Sequence, residues 1–362
     1  MSNASTKASM PAAAKTHKTP KKIKVSGVIL VDKPQGMTSQ QVVSKVKYLF
    51  KSPNHDSKKA GHTGTLDPMA TGLLPICLGE ATKFSHYQLD ADKTYQATIL
   101  LGSQTDTGDA DGQIVAEKFI PQFDSKILEN VAQQFLGAQQ QIPPMYSALK
   151  KDGKKLYEYA RAGIEIDRPS RDIIVKAIDL KAIDDHNIQL TVTCSKGTYV
   201  RVLAEDIAKV LGTLGHLTAL RRLQVGDFSV DSAITLTDLE ALAFDKRLAH
   251  LLAVDACIAL DAVLVLTAEQ CARVHMGQRL NVFEQLTEDL RNYISTAIEQ
   301  QQNSDENGAA QQAIASEKEA RKVAPLHEIA VDVRLIDEQG QFIGLGAVSL
   351  NGRLQPKKLI QL

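Results

Sequence analysis

The sequence predicts an α+β fold, in which strands and helices are mixed and a smaller β-rich region follows at the C-terminal end. Residues 188–194 alternate strictly between apolar and polar side chains, which is the period of a strand with one buried face. Between Ser39 and Phe50 the apolar side chains recur at helical spacing instead. Because the two patterns do not alternate regularly along the chain, a doubly wound parallel sheet is not indicated.

The first two-thirds of the chain contains most of the predicted elements. They are a strand at 25–31, a helix from Ser39, strands at 74–78 and 95–101, a helix at 127–136, strands at 173–180 and 188–194, and helices at 199–211 and 238–244. Thr237 is the predicted N-cap of the last helix, and Glu240 completes a capping-box pattern. Residues 53–72 are rich in Gly, Pro, Asn, Asp and Thr and predict a long loop, which inside a compact domain is usually functional or disordered.

The domain organisation follows from length and local composition. A chain of 362 residues predicts two domains, with a boundary near 250–258. We expect a disordered basic tail at 1–23, a main domain at 24–250 and a second domain at 255–362. Within the second domain, residues 284–325 are rich in Gln, Glu, Ala and Asn and predict a mobile low-complexity insertion.

Composition disfavours several classes of protein. No run of 18 uncharged apolar residues exists, and the N-terminal stretch lacks the apolar region of a secretory signal, so neither a membrane protein nor a secreted one is expected. The four cysteines show no C-x-x-C spacing and the nine histidines no H-x-x-x-H spacing. We therefore expect no metal site and a reducing, cytoplasmic location.

Charge is balanced overall but distributed unevenly. Residues 1–60 hold twelve lysines and two aspartates, whereas residues 282–325 hold eight acidic and four basic residues. This asymmetry is compatible with a basic surface for a phosphate backbone. A lysine-rich tail that only keeps the protein in solution explains it equally well.

The densest chemical signal is the segment from Gly61 to Gly72, with the sequence GHTGTLDPMATG. Its glycines permit tight turns and close approach of a ligand to the backbone. Pro68 restricts Asp67 to extended dihedrals, so the carboxylate leaves a stiffened loop, as suits a nucleophile or a general base. A carboxylate that caps a short turn is the ordinary alternative for Asp67. His62 alone is more often structural than catalytic.

The second signal is the sequence GTYVR, which lies between a predicted strand and a predicted helix. It ends in Tyr199, Val200 and Arg201. Tyr199 could stack on an RNA base, and Arg201 could pair with a carboxylate and keep it ionised. An ordinary helix start with a partly buried tyrosine and a solvated arginine is the alternative. Weaker signals are Lys33 in a turn after a strand, the strand that opens with Tyr95, and the Pro-rich segment at 141–148 that precedes a basic stretch.

Together these segments resemble the TruB family of tRNA pseudouridine synthases. The matching blocks, in order, are VILVDKPQGMTS (28–39), AGHTGTLDPMATGLLPICLGEATKFS (60–85), DKTYQATILLGSQTDTGDADGQIV (92–115), QIPPMYSALKKDGKKLYEYARAGIE (141–165), CSKGTYVRVLAEDI (194–207) and LTALRRLQVGDFSV (217–230). They cover about two-thirds of the chain. The resemblance implies the pseudouridine synthase fold, with a mixed, largely antiparallel sheet flanked by helices.

The resemblance also implies roles for single residues. Asp67 corresponds to the catalytic aspartate and Arg201 to the arginine that pairs with it. Tyr95 and Tyr199 correspond to aromatic residues at the target uracil, Leu220 to a leucine of the uracil pocket, His62 to a histidine that contacts the extruded nucleotides, and Lys33 to a supporting lysine. Residues 266–277 and 342–359 resemble, less fully, a PUA RNA-binding domain, interrupted by the expected insertion.

The function implied by the resemblance is isomerisation of uridine 55 in the TΨC arm of tRNA, without a cofactor or metal. Separately, we expect a monomer. A tRNA-binding or tRNA-folding protein with secondary catalysis is one alternative. A guide-dependent rRNA pseudouridine synthase is another. A glycoside hydrolase would need a second carboxylate, for which Asp109 and Asp111 are available, although their turn is more simply a solvated loop.

Overall fold

The computed structural model describes residues 22–312 and 326–361. The expected basic tail lies outside the described residues except at its end, and so do residues 313–325 of the expected insertion.

The large domain consists of a twisted sheet, short hairpins and packed helices. Its strands are β1 (Ile23–Lys24), β2 (Gly27–Lys33), β3 (His55–Asp56), β4 (Ala60–His62), β5 (Thr71–Leu78), β6 (Lys93–Leu101), β7 (Ser103–Thr105), β8 (Ile114–Glu117), β9 (Gly137–Gln141), β10 (Lys150–Lys151), β11 (Lys154–Lys155), β12 (Arg171–Ala182), β13 (Asn187–Cys194), β14 (Gly215–Val225), β15 (Phe228–Ser229) and β16 (Ile234–Thr235). Its helices are α1 (Ser39–Leu49), α2 (His86–Leu89), α3 (Ser125–Gln134), α4 (Leu156–Arg161), α5 (Val200–Val210), α6 (Leu236–Ala241) and α7 (Phe244–Ala249).

The main sheet runs in the order β16, β2, β5, β14, β6, β13, β12 and β9. Strand β16 pairs parallel to β2 and β5 parallel to β14, while the other neighbours on this path are antiparallel. This is the mixed, largely antiparallel sheet that the sequence predicts. The central strand β14 was not predicted, because register shifts after Leu217 and after Arg222 break the alternation that would reveal it.

The main core lies between this sheet and helices α1, α3 and α5. Helix α1 begins where predicted, with Thr38 as N-cap in a capping box with Gln41, and its apolar face is buried. In β13 the apolar members of the alternating pattern are buried, and their polar neighbours are partly exposed. Burial of one face by each element explains why both periodicities were readable in the sequence.

Two local predictions are corrected. The segment 53–72 is not a continuous loop, because its first part forms β3, paired with β1, and β4, paired with β5. The N-cap of α6 is Thr235 rather than Thr237, since the Thr235 hydroxyl accepts a hydrogen bond from the Asp238 amide at 3.1 Å. The helix therefore starts two residues earlier than the capping-box pattern predicted.

The C-terminal region forms a second, smaller sheet. Its strands are β17 (Val263–Leu266), β18 (Leu280–Asn281), β19 (Ala330–Asp337), β20 (Phe342–Ser349) and β21 (Arg353–Leu359), and its helices are α8 (Ala268–His275) and α9 (Glu288–Gln312). Short 3₁₀ turns lie at Gly79–Lys83, Val230–Ser232, Phe283–Gln285 and Leu326–Glu328. The strand order is β17, β19, β20, β21 and β18.

For residues 288–312, helix α9 corrects the prediction of a mobile insertion at 284–325. Its Leu290, Ile294 and Ile298 recur every four residues and are buried in the core of the second domain. The glutamine-rich composition concealed this apolar stripe, because the stripe occupies only one side of the helix. Across residues 22–312 and 326–361, no helix combines the length and apolarity needed to cross a membrane.

Candidate active site

A cavity of about 450 Å³ opens between the Asp67 loop, the start of β6, the N-terminus of α5 and strand β14. Among its lining residues are five that the sequence singled out: Asp67, Tyr95, Tyr199, Arg201 and Leu220. These residues are far apart in the chain, and the fold brings them together. Cavities of this size are typical of small-molecule and nucleobase-sized ligands.

The Asp67 loop joins β4 to β5 and is fixed through its backbone. The hydroxyl of Ser39, at the start of α1, accepts from the Leu66 amide at 2.8 Å and donates to the Leu66 carbonyl at 2.9 Å. On the other side of Asp67, the carbonyl of Pro68 accepts from the Gly36 amide at 2.8 Å. Bonds on both flanks hold the aspartate in place before any ligand arrives.

Lys33, at the end of β2, also holds the Asp67 loop in place. Its side chain is fully buried, and its ammonium donates to the carbonyls of Ala70, Pro34 and Pro68 at 2.6, 2.9 and 3.3 Å. Burial lowers the pKa of Lys33 to about 8, and attraction to Asp67 opposes that shift. Lys33 does not line the cavity, so its contacts are with the loop rather than with a ligand.

Asp67 and Arg201 form an ion pair, with 3.0 Å between the Asp67 Oδ2 and Arg201 Nη2 atoms. The guanidinium also donates to the carbonyls of Thr107 and Tyr146, each at 2.8 Å, and its Nη1 lies 3.5 Å from Asp109. The Arg201 side chain is 6% exposed and that of Asp67 39% exposed. The arginine is thus fixed by surrounding oxygens, while the carboxylate still reaches the cavity.

Asp109 was expected to lie in a solvated turn, and this is wrong. It is buried, and one carboxylate oxygen accepts from the Thr107 hydroxyl at 2.6 Å and from the Asp111 amide at 3.2 Å. Since its other oxygen faces Arg201, Asp109 contributes to positioning that arginine. Asp111 is exposed.

Tyr199 is the N-cap residue of α5, and its backbone is held by one side chain. The Gln141 amide accepts from the Tyr199 N–H at 2.8 Å and donates to the Tyr199 carbonyl at 3.1 Å. Tyr95, on β6, sits opposite Arg222 of β14 in the sheet register. Burial raises the pKa of both tyrosines, so both hydroxyls are protonated at neutral pH.

Arg222 is a site residue that the sequence reasoning did not single out. It is 1% exposed, and it donates from Nε to the Leu73 carbonyl at 2.7 Å and from Nη2 to the Gly64 carbonyl at 3.1 Å. It lines the cavity beside Leu220 and ties β14 to the loop that carries Asp67. The signal available in the sequence was the adjacent pair Arg221 and Arg222 inside a mostly apolar segment. Such a pair is equally typical of an exposed basic surface.

His62 lies beside the cavity and not in its wall. It ends β4, and its Nδ1 accepts from the Gly64 amide at 3.2 Å. Burial, with a smaller contribution from Arg222, lowers the pKa of His62, so the ring is neutral at neutral pH. Within the described residues, no group of three His, Cys, Asp or Glu side chains is placed to hold a metal ion.

Comparison with known proteins identifies the family of this chain. Residues 53–200 match the N-terminal domain of TruB family pseudouridylate synthases, residues 201–265 match the tRNA pseudouridylate synthase B C-terminal domain, and residues 321–360 match the pseudouridine synthase II TruB C-terminal domain. A tRNA pseudouridine synthase B from Psychrobacter cryohalolentis is 76% identical over 356 residues, which cover 98% of this chain and 99% of the relative. The chain belongs to the TruB family of tRNA pseudouridine synthases. A second member, from Aromatoleum aromaticum, is 42% identical over 336 residues and covers 93% of each chain.

Solved structures support the fold. A chain from a structure of an H/ACA RNP bound to a substrate RNA containing 2′-deoxyuridine matches with a TM-score of 0.60 at 20% identity, over 93% of this chain and 85% of that one. A chain from a Cbf5–Nop10–Gar1 complex matches with a TM-score of 0.57 at 20% identity, over 92% and 84%. The TruB resemblance and the α+β fold predicted from the sequence are therefore confirmed.

Proposed function

We propose that this TruB family enzyme isomerises uridine 55 in the TΨC arm of tRNA to pseudouridine, with Asp67 as the catalytic carboxylate and without a cofactor or metal. The observation that carries the proposal is the Asp67–Arg201 ion pair at the edge of a cavity that also contains two tyrosines and Leu220. An acid held by a buried guanidinium stays in position as charge develops on a substrate.

The reaction breaks the N1–C1′ bond, turns the uracil and forms a C5–C1′ bond. Substrate and product are isomers, since the proton lost from C5 is balanced by the proton gained at N1. A carboxylate next to C1′ can stabilise a cationic sugar or form a covalent adduct. Asp67 is suited to this task because its neighbours hold it rigidly while its side chain remains partly exposed.

The remaining residues divide the other tasks. The target base must leave its stack to reach Asp67, and Tyr95 and Tyr199 offer ring faces to receive it. Leu220 supplies an apolar wall. His62, which accepts a hydrogen bond from the Gly64 amide, is proposed to fill the space that the extruded base leaves. Lys33 supports the loop.

A basic hairpin beside the cavity is suited to the RNA backbone. Ser147, Ala148 and Leu149 line the cavity, and β10 and β11 follow at once with lysines 150, 151, 154 and 155 at their four paired positions. Because these lysines adjoin the opening, they can neutralise phosphates of the loop that enters it.

The test uses unmodified tRNA transcript and purified protein alone. We expect pseudouridine at position 55 with the wild-type chain, and loss of turnover but retained tRNA binding with Asp67→Asn. Turnover by Asp67→Asn would remove this residue from its role. A wild-type chain that binds tRNA without modifying it would indicate a folding or binding protein, and activity only with an added guide RNA would indicate a guide-dependent rRNA enzyme.

The proposal extends to location and assembly. A tRNA substrate and four free thiols fit a reducing cytoplasm. The site is built from one chain, so we propose a monomer, which light scattering at working concentration would test.

A further inference from the structure

A second cavity, of about 840 Å³, lies away from the active site and is lined chiefly by lysines. We call it the lysine groove and define it by Lys22, Lys24, Lys47, Lys51, Lys58 and Lys59. These are six of the twelve lysines whose concentration in residues 1–60 was apparent from the sequence. The fold therefore collects half of that positive charge around one opening.

The groove is constructed by backbone pairing. The Ile23 amide donates to Asn54 at 2.8 Å and the Val25 amide to Asp56 at 2.9 Å, which fixes β1 beside β3. The buried Ser57 hydroxyl donates to the Lys47 carbonyl at 2.7 Å, so the loop after β3 is fastened to the end of α1. The backbone segments that carry the lysines are thus fixed relative to one another.

Most of this charge has no acidic partner. The acidic lining residues are Asp56 and Glu80. Glu80 pairs with Lys83, outside the groove, at 2.7 Å, and Asp56 lies 3.7 Å from Lys58.

The other groove lysines are free to bind an anion. No carboxylate whose side chain the structure describes, in residues 22–300 and 327–361, lies within ion-pair distance of Lys47, Lys51 or Lys59. Lys22 donates to the Ser52 carbonyl and Lys24 to the Gln361 side-chain oxygen, and Lys24 is also attracted by Glu80. Several like charges gathered around one opening favour a polyanion as the ligand.

The position of the groove relative to Asp67 follows from two elements. Helix α1 starts at Ser39, which bonds the Asp67 loop, and Lys51 lies twelve residues further on, which at the helical rise is roughly 18 Å. Strand β5 starts at Thr71 beside the same loop and ends just before Gly79 in the groove, roughly 26 Å away along a strand. The two estimates place the groove roughly 18–26 Å from the Asp67 loop.

We propose that the lysine groove binds the phosphodiester backbone of the helical part of the substrate RNA, roughly 18–26 Å from the Asp67 loop. This rests on the proposed function, because it takes tRNA as the substrate. Five of the six lysines are exposed and Lys47 is half-buried, so their ammonium groups can follow an extended polyanion. Lysine is a point-charge contact to phosphate and gives affinity without sequence preference.

The experiment compares two triple variants with the same change in net charge. The groove variant is Lys47→Gln, Lys51→Gln and Lys59→Gln. The control variant replaces Lys118, Lys126 and Lys181 by Gln, all of which are exposed and outside the groove. Binding is measured over a range of salt concentrations with two RNAs, full-length unmodified tRNA and a hairpin that carries the loop on a stem too short to span about 20 Å.

We expect the groove variant to reduce the slope of log affinity against log salt by about 2–3 for full-length tRNA. It should raise KM for that substrate, leave kcat unchanged and leave hairpin binding unchanged. The control variant should behave as wild type with both RNAs. A groove variant whose slope equals that of the control would overturn the proposal. The slope is measured whether or not pseudouridine forms, so a chain that binds tRNA through the groove without modifying it would count against the proposed function alone.

Discussion

Replacement of Lys33 by methionine should separate catalysis from stability. The ammonium of Lys33 lies under the Asp67 loop and donates to the carbonyls of Pro68 and Ala70, the residues that follow the aspartate. Methionine has a similar length but donates nothing, so the loop keeps its packing and loses these bonds. The expected result is a folded protein with a displaced carboxylate.

The expected change in the free energy of unfolding follows from two opposing contributions of Lys33. Burial lowers the pKa of Lys33 from 10.5 to about 8, which corresponds to on the order of 3 kcal/mol spent to keep it charged. Charge-assisted hydrogen bonds offset that cost, at about 1.5–3 kcal/mol each. The variant removes both contributions, and three bonds are together worth about 4.5–9 kcal/mol against that cost, so we expect its free energy of unfolding to fall by about 1.5–6 kcal/mol. Misplacement of a catalytic group by about 1 Å costs roughly 100-fold in rate, so kcat should fall by about that factor.

The assay is single-turnover formation of pseudouridine on tRNA transcript, together with thermal unfolding of the same preparation. Lys45→Met is the control, because Lys45 is on α1 but its partner is Glu240 at the surface. An unchanged kcat in folded Lys33→Met protein would refute the supporting role of this lysine. Equal losses in both variants would attribute the effect to the loss of any lysine side chain rather than to support of the Asp67 loop.

The other predictions concern Arg201, Gly72 and Lys93. Arg201→Met should destabilise the fold by about 3–5 kcal/mol in denaturant titration, because it leaves Asp109 buried without its partner; stability equal to wild type would contradict this. Gly72→Ala should cost about 3 kcal/mol or more, since at a φ of +100° its Cβ would meet the Arg222 carbonyl oxygen at 2.3 Å; a normal melting temperature would rule out that contact. Burial lowers the pKa of Lys93 to about 8, so the unfolded state binds more protons between pH 8 and 10.5 and this lysine's contribution to stability rises with pH there; Lys93→Met should remove that rise from the melting curves.

The parts of this structure that the sequence predicted are those where one short segment carries the whole signal. Helix α1 and strand β13 each bury one face, so their periodicities were visible without any partner. The Asp67 loop was visible because glycine and proline restrict the backbone locally. In each case the cause lies within a dozen residues.

The parts that the sequence did not predict depend on contacts between distant segments. Arg222 is buried because the carbonyl oxygens of Gly64 and Leu73 accept hydrogen bonds from its guanidinium, and neither partner is near it in the chain. Asp109 is buried for the same kind of reason, since its partner Arg201 comes from α5. Charged side chains are mostly exposed, so composition alone favours the wrong environment for both.

The arrangement around Asp67 assigns different tasks to its two carboxylate oxygens. Oδ2 is bound to Arg201, whose guanidinium is itself fixed by the carbonyls of Thr107 and Tyr146. Among the described residues, Oδ1 has no hydrogen-bond partner, and the side chain is 39% exposed at the cavity. One oxygen therefore orients the group while the other is available to a substrate. Because the orienting bond comes from a side chain that cannot move without leaving several oxygens unpaired, the carboxylate is positioned before RNA binds, and binding energy from distant phosphates can be used to extrude the base.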